Sequence, residues 1–261
     1  MGDLFRMRSR ALFLVILVLL TIGASVAIGI SKKIQVYELL NASSEISYAS
    51  PNESYFVSDS QVYNLTIHNY QDLYNSSEEV LLVTAGPAIQ NRGIFENTVT
   101  ISSVYKSTHG LNAGDSLVIF EPIRLRSNRV SISFSYVPMV ESNQYIVFLS
   151  HVDTFGNMHV FNFVTPLFGK IPVKDRITIQ EYDFIEGQEF KYDNLTSTDL
   201  IILNLSEIIK QIEAQVIIDP QNPYLQTELQ NTLLFHNDQA SIKEVIEVVY
   251  KKLLNRDVFF N

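Results

Sequence analysis

This 261-residue chain has no cysteine. That removes thiol nucleophiles, thiolate metal sites, redox motifs and disulfides together. Any folded part must be held by its core alone, and about 230 residues beyond the first thirty are enough for that. Glycine is sparse, at ten residues, and dispersed, so no phosphate-cradling loop can be drawn. No Gly-x-Ser-x-Gly occurs, which leaves serine hydrolase chemistry without its usual turn. Basic residues are also few: 19 Lys and Arg stand against 28 Asp and Glu. Five of the basic residues and one of the acidic ones precede residue 34, so 14 basic and 27 acidic residues remain after it. Such a surface repels phosphate backbones, and nucleic acid is not an expected partner.

One long apolar run is present, from Ala11 to Ile30, without a single charge. At about 1.5 Å per residue, its twenty residues make a helix of about 30 Å, the thickness of a bilayer's hydrocarbon core. Arg6, Arg8 and Arg10 precede it, and Lys32 and Lys33 follow it. The short basic arm favours a cytoplasmic N-terminus and an extracytoplasmic C-terminal part. A cleaved leader is the alternative, with Ser25-Val26-Ala27 as its small-residue site. The run is longer than a normal leader core and continues through Ile28 and Ile30, which favours an uncleaved single-pass anchor in a bacterial cell membrane.

Residues 1–10 thus read as a cytoplasmic arm, 11–30 as a transmembrane helix, and 31–68 as a polar spacer. Residues 69–180 carry strand signals. Val80–Ala85 is a continuous apolar strand, Thr98–Tyr105 and Val130–Tyr136 alternate, and Tyr145–Leu149 is densely apolar. Gly114-Asp115 and Gly156-Asn157 mark turns, and strands recurring at this spacing indicate a barrel or sandwich. A short helix is expected over Tyr70–Glu78. In residues 181–261 the period lengthens. Leu205, Ile208, Ile209, Ile212 and Val216 form one helical stripe, closed by Asp219-Pro220 and Asn222-Pro223. A last helix is expected to start at Ser241, with Glu244 three residues on as a capping box. The fold class is mainly β with α: an N-terminal transmembrane helix, a small barrel, and two amphipathic helices packed on it.

Residues from about 70 to 150 resemble an exported bacterial OB-like barrel module related to the netrin-like group, which includes the tissue inhibitors of metalloproteinases. The pieces that carry the resemblance are the helix Tyr70–Glu79, the strand Val80–Ala85, the hairpin strand Val99–Lys106, the turn and strand Gly114-Asp115-Ser116-Leu117-Val118-Ile119, and Tyr145-Ile146-Val147-Phe148-Leu149. Ser107 replaces the Gly that usually follows the hairpin Lys, and Ser142-Asn143-Gln144 replaces the usual Gly-Glu. The resemblance implies the barrel. It does not imply protease inhibition, because the inhibitors chelate zinc through an N-terminal cysteine.

One constellation suggests chemistry. His151 and Asp153 would share a strand face, and His159 would approach across the Gly156-Asn157 turn, giving a two-nitrogen, one-carboxylate metal set. Arg124, Arg126 and Arg129 are the one concentrated group of positive charges, a candidate anion contact. No cofactor is expected. The preferred expectation is a non-enzymatic, membrane-anchored module that contacts an envelope or surface protein. An envelope enzyme or metal-dependent factor is the alternative, and a secreted protein with a cleaved leader is a second one.

Overall fold

A computed structural model describes residues 46–49, 67–91, 94–126, 129–133, 136–155, 158–183 and 198–261. The expected arm 1–10, the membrane segment Ala11–Ile30 and most of the 31–68 spacer lie outside those residues. Among the described residues no helix is long and apolar enough to cross a membrane.

Helix α1 spans Tyr70–Ser76. Asn69 caps it: its side-chain oxygen accepts the Asp72 N–H at 3.0 Å, and Asp72 lies in the first turn, where an acid suits the dipole. At the other end Lys106 Nζ donates to the carbonyls of Tyr74, Asn75 and Ser77. The lysine thus satisfies acceptors that the short helix leaves open and adds the favoured charge there. Tyr70 and Leu73 are the buried side of the helix.

Strands β2 (Glu79–Asn91), β3 (Ile94–Ser107) and β4 (Ser116–Arg126) form an antiparallel meander. Strand β5 (Arg129–Ser133) folds back on β4, and β1 (Ile46–Ala49) pairs with β5 in parallel. Strand β6 (Gln144–Phe155) pairs with β2, and β7 (Met158–Phe163) pairs with β6. A parallel contact between β4 and β7, with Ile119 opposite Phe161, joins the two ends of the sheet. The circuit β2–β3–β4–β7–β6–β2 is a closed five-stranded barrel, consistent with an OB-like barrel. Closure leaves these strands without a free edge inside the circuit.

The apolar tract of β2 covers Val80–Ala85, yet the strand continues to Asn91. The register moves from Ala85↔Val99 to Ala88↔Asn97, so two residues oppose one at a bulge. Proline is tolerated there because a bulge residue need not donate. Gly86 is required by space: a Cβ at this position would lie 2.3 Å from the Thr98 carbonyl oxygen.

Residues that face one another across antiparallel strands share a face, and the register defines the barrel interior. It holds Leu81, Val83, Phe95, Val99, Ile101, Leu117, Ile119, Val147, Leu149, Phe161 and Phe163, all essentially buried. The segment 136–140 crosses the end where β6 begins and buries Tyr136, Val137 and Met139. Interior positions there are polar. Glu121 accepts from Tyr136 Oη at 2.9 Å, from the Met139 N–H at 3.0 Å and from Asn97 at 3.4 Å. Lys170 donates to the Val137 carbonyl and lies 4.5 Å and 5.0 Å from the Tyr136 and Tyr145 ring centroids.

After the barrel, β8 (Lys170–Pro172) pairs antiparallel with the start of β6. Strand β9 (Arg176–Ile177) pairs with β12 (Phe259–Phe260), and β10 (Ile179–Asp183) pairs in parallel with β11 (Leu200–Asn204). Helices α2 (Ser206–Ile218) and α3 (Pro223–Val249) follow. The expected start at Ser241 is corrected: α3 begins with Pro223, capped by Asn222, whose side chain accepts from the Tyr224 N–H at 3.1 Å. Ser241 instead back-bonds to the Asp238 carbonyl at 2.9 Å within the helix. Phe235, Ile242, Val245, Ile246 and Val249 join the same core as the barrel. A π-helical turn over Tyr250–Leu254 ends at Asn255, whose φ is +52°. Tyr250 is fully buried; its hydroxyl accepts the Lys174 N–H at 2.9 Å and donates to the Pro172 carbonyl at 2.6 Å.

Candidate functional site

The mouth opposite segment 136–140 is formed where β2 and β7 begin and β3 and β6 end. Three of the five histidines in the chain meet there. His109 and His151 stack with ring centroids 4.5 Å apart. His159 lies 5.6 Å from His151 and 5.8 Å from His109. All three rings rest on Phe161, at 5.3 to 6.2 Å, which is itself fully buried.

The structure therefore brings His151 and His159 together, and it does not bring Asp153 with them. A β-bulge falls between His151 and Asp153. Beyond it Asp153 pairs with Val160, while Thr154 pairs with His159. The extra residue inverts the alternation, so that Thr154 takes the side of the sheet that an unbroken strand would give to Asp153. Thr154 Oγ1 stands between the two rings, 3.1 Å from His151 Nε2 and 3.4 Å from His159 Nδ1. Asp153 is exposed and accepts from the Thr154 N–H at 2.7 Å.

His109 takes the third place. It follows β3 in a turn closed by Gly110 at φ +71°. Glu79, at the start of β2, fixes that turn. Its Oε1 accepts the N–H groups of Thr108 at 2.9 Å and His109 at 3.0 Å, and lies 2.9 Å from His109 Nδ1. A carboxylate only accepts, so Nδ1 of His109 is the donor in this contact. Glu79 is fully buried, and its Oε2 has no hydrogen-bond partner among the described residues. Next to it, Glu78 Oε2 accepts the His151 N–H at 2.7 Å. Two adjacent carboxylates thus hold two of the three histidines through their backbones. The sequence gives no signal for His109 and presents Glu79 only as a charge near a helix end, since only the closing of the β2–β3 hairpin sets them beside β6.

Among the described residues, no three His, Asp or Glu side chains aim their donor atoms at a single point. The three arginines are placed by backbone alone: Arg124 opposes Ser131, and Arg126 opposes Arg129 across the β4–β5 hairpin. That hairpin lies at the far end of β4 from the histidines.

The Glu121–Lys170 network is the other ionisable cluster. Burial pushes the Glu121 carboxyl up, against the opposing pull of Lys170 and the donors from Met139, Tyr136 and Asn97. Burial likewise brings the Lys170 ammonium down to about 8, with Glu121 opposing the fall. Tyr145 is pushed up to about 12, again mainly by burial. Both charged residues are sealed, at 2 % and 5 % exposure, and the bonds made by Tyr136, Val137 and Met139 tie segment 136–140 to the barrel. These contacts hold the segment over the barrel end as a plug. A half-open cleft of ≈ 320 Å³ lies between β11 and α3, lined by Glu181, Asn204, His236, Gln239 and Lys243 among others.

The class defined by these features is a closed, mainly β barrel with a histidine-rimmed mouth and a C-terminal helical pair. No protein-family model matches the chain, and no curated protein matches it.

Proposed function

We propose that this chain is a membrane-anchored, extracytoplasmic binding module of a bacterial envelope, which holds its barrel outside the cell to contact another envelope or surface protein. The observation that carries the reading is the uncharged run Ala11–Ile30 with three arginines before it. The acid excess beyond residue 33 and the lack of cysteine suit a domain that folds outside the cytoplasm without disulfides and stays clear of nucleic acid. The turn between α2 and α3 supports a contact role: Ile217, Ile218 and Tyr224 stand 80 %, 83 % and 65 % exposed. The relation to the netrin-like group belongs to the same proposal. The closed five-stranded circuit and Lys106 near the end of the hairpin strand β3 support it, and without the chelating cysteine the relation does not carry protease inhibition.

Fractionation of cells producing the full chain tests the anchor. The protein is expected in the membrane fraction with an intact N-terminus by mass spectrometry, and protease added to intact cells is expected to remove residues beyond 33. Recovery of the intact chain in the soluble cytosolic fraction would refute the proposal. Crosslinking on the same cells, with Ile218→Asp as the comparison, tests the contact surface: loss of the captured species in that variant is expected.

A further inference from the structure

We propose that His109, His151 and His159 form an acid-sensitive latch at the barrel mouth: uncharged, the three rings pack as one cluster over Phe161, and protonation drives His151 and His159 away from the turn that carries His109. The latch goes beyond the anchoring reading and does not depend on it. Its first support is crowding. The ring centroids are 4.5, 5.6 and 5.8 Å apart, and the closest pair, His109 and His151, is stacked. A stacked pair can carry one positive charge, but two at that spacing repel. The rings come from three separate elements, the turn after β3, strand β6 and strand β7, so their repulsion acts between elements and not within one. Imidazole is the side chain whose ordinary change of charge falls between about pH 5 and 8.

The second support is how the neighbouring charges are already committed. From β2, the sealed Glu79 uses Oε1 for His109 Nδ1 and for the N–H groups of Thr108 and His109. Glu78, also from β2, accepts the His151 N–H through Oε2 and so meets the backbone of that residue. From β6, Asp153 is exposed and accepts the Thr154 N–H. From the end of β3, the Lys106 ammonium faces the carbonyls of α1, and in the turn that follows Asp115 accepts the Asn112 N–H. Strand β7 brings no titratable side chain except His159. Among the described residues no carboxylate therefore bonds the ring of His151 or His159. What those two rings share is the Thr154 hydroxyl, 3.1 Å from His151 Nε2 and 3.4 Å from His159 Nδ1. A hydroxyl can donate to one of these nitrogens and accept from the other. Once both rings are charged, both nitrogens are donors and the hydroxyl proton has no acceptor between them. His109, paired with Glu79, stays with its turn, and the two rings without a carboxylate are the ones that leave. Phe161, fully buried and opposite His151 across the ladder, is the apolar floor that this uncovers.

Hydrogen exchange of the full chain in detergent micelles at about pH 7.5 and at about pH 5, read by mass spectrometry and scaled for the intrinsic pH dependence of amides, tests this. In the parent, protection over Ser150–Thr154 and His159–Phe161 is expected to fall by about 10-fold or more at the lower pH, relative to Val99–Ile101 in the barrel interior. That is the size of effect that repulsion at these spacings produces in a partly exposed site. The comparison within the parent depends on no variant's folding. The double variant His151→Gln, His159→Gln keeps polar side chains that cannot charge, and is expected to hold the same protection at both pH values. His236→Gln, in the cleft between β11 and α3, is expected to respond as the parent does. The proposal is overturned if the parent's mouth keeps its protection at the lower pH, if Val99–Ile101 loses as much as the mouth does, if the double variant loses as much as the parent, or if His236→Gln abolishes the response.

Discussion

Lys170 should make this protein gain stability as the solution becomes alkaline, the reverse of what a lysine in a surface ion pair does. In the unfolded chain its ammonium has the ordinary value of 10.5, and in the folded barrel burial lowers it to about 8. Between those values the unfolded chain holds a proton that the folded barrel has released. Stability rises with pH wherever the unfolded state binds more protons. The full displacement is worth about 3 kcal/mol. Because Lys170 is sealed in the barrel end, screening by solvent takes little from this figure. The rise has an upper bound. Tyr145 ionises near 10 when unfolded and at about 12 when folded, so above pH 10 the folded state holds the extra proton and stability falls. Tyr70, Tyr105 and Tyr250 are raised in the same direction, mainly by burial. A maximum near pH 10 is expected. Urea unfolding followed by tyrosine fluorescence at half-unit steps from pH 7 to 11 measures it, beside Lys170→Met. Methionine is unbranched, one atom shorter, and cannot titrate. The variant's absolute stability also reflects the loss of a partner for Glu121, so the slope is the diagnostic quantity. The reasoning fails if wild type does not gain stability between pH 8 and 10, or if Lys170→Met gains as much.

Two other substitutions probe the elements that set the barrel. Gly86→Ala drives a Cβ toward the Thr98 carbonyl at 2.3 Å, a backbone atom that cannot swing aside, and should cost about 1–3 kcal/mol in chemical denaturation. Lys106→Met leaves the last carbonyls of α1 without their charged donor; a loss of about 1–3 kcal/mol is expected, with hydrogen exchange rising in Tyr70–Ser76 ahead of β6. Unchanged exchange in that helix would show that Lys106 does not hold it.

The sequence was a good guide wherever one local rule governed. Val80–Ala85, Thr98–Tyr105 and Tyr145–Leu149 fall within β2, β3 and β6, because alternation or a dense apolar run needs no knowledge of neighbours. It misled wherever a local signal had two meanings. The apolar tract stops at Ala85, but the strand runs on through a bulge at Gly86-Pro87. Ser241 and Glu244 read as a capping box and lie inside α3, where Ser241 turns its hydroxyl back to Asp238. The stripe of α2, by contrast, does face the core: Leu205 and Ile212 are buried, and Ile208 and Ile209 pack against it. The strand β11, Leu200–Asn204, carried no alternation, because both of its faces are covered or half-covered.

By itself the sequence determined that this chain has no thiol chemistry, since a missing cysteine is a property of the list of residues and survives any folding. It also determined the strand-forming tracts and the twenty-residue apolar run, whose periods and length are local. The tertiary structure alone decided which histidines meet. One bulged residue after His151 turns Asp153 away and brings Thr154 in, and a hairpin closed by Glu79 delivers His109 from a distant part of the chain. Proximity of that kind is set by register and closure, which depend on the whole sheet and on no single segment of it.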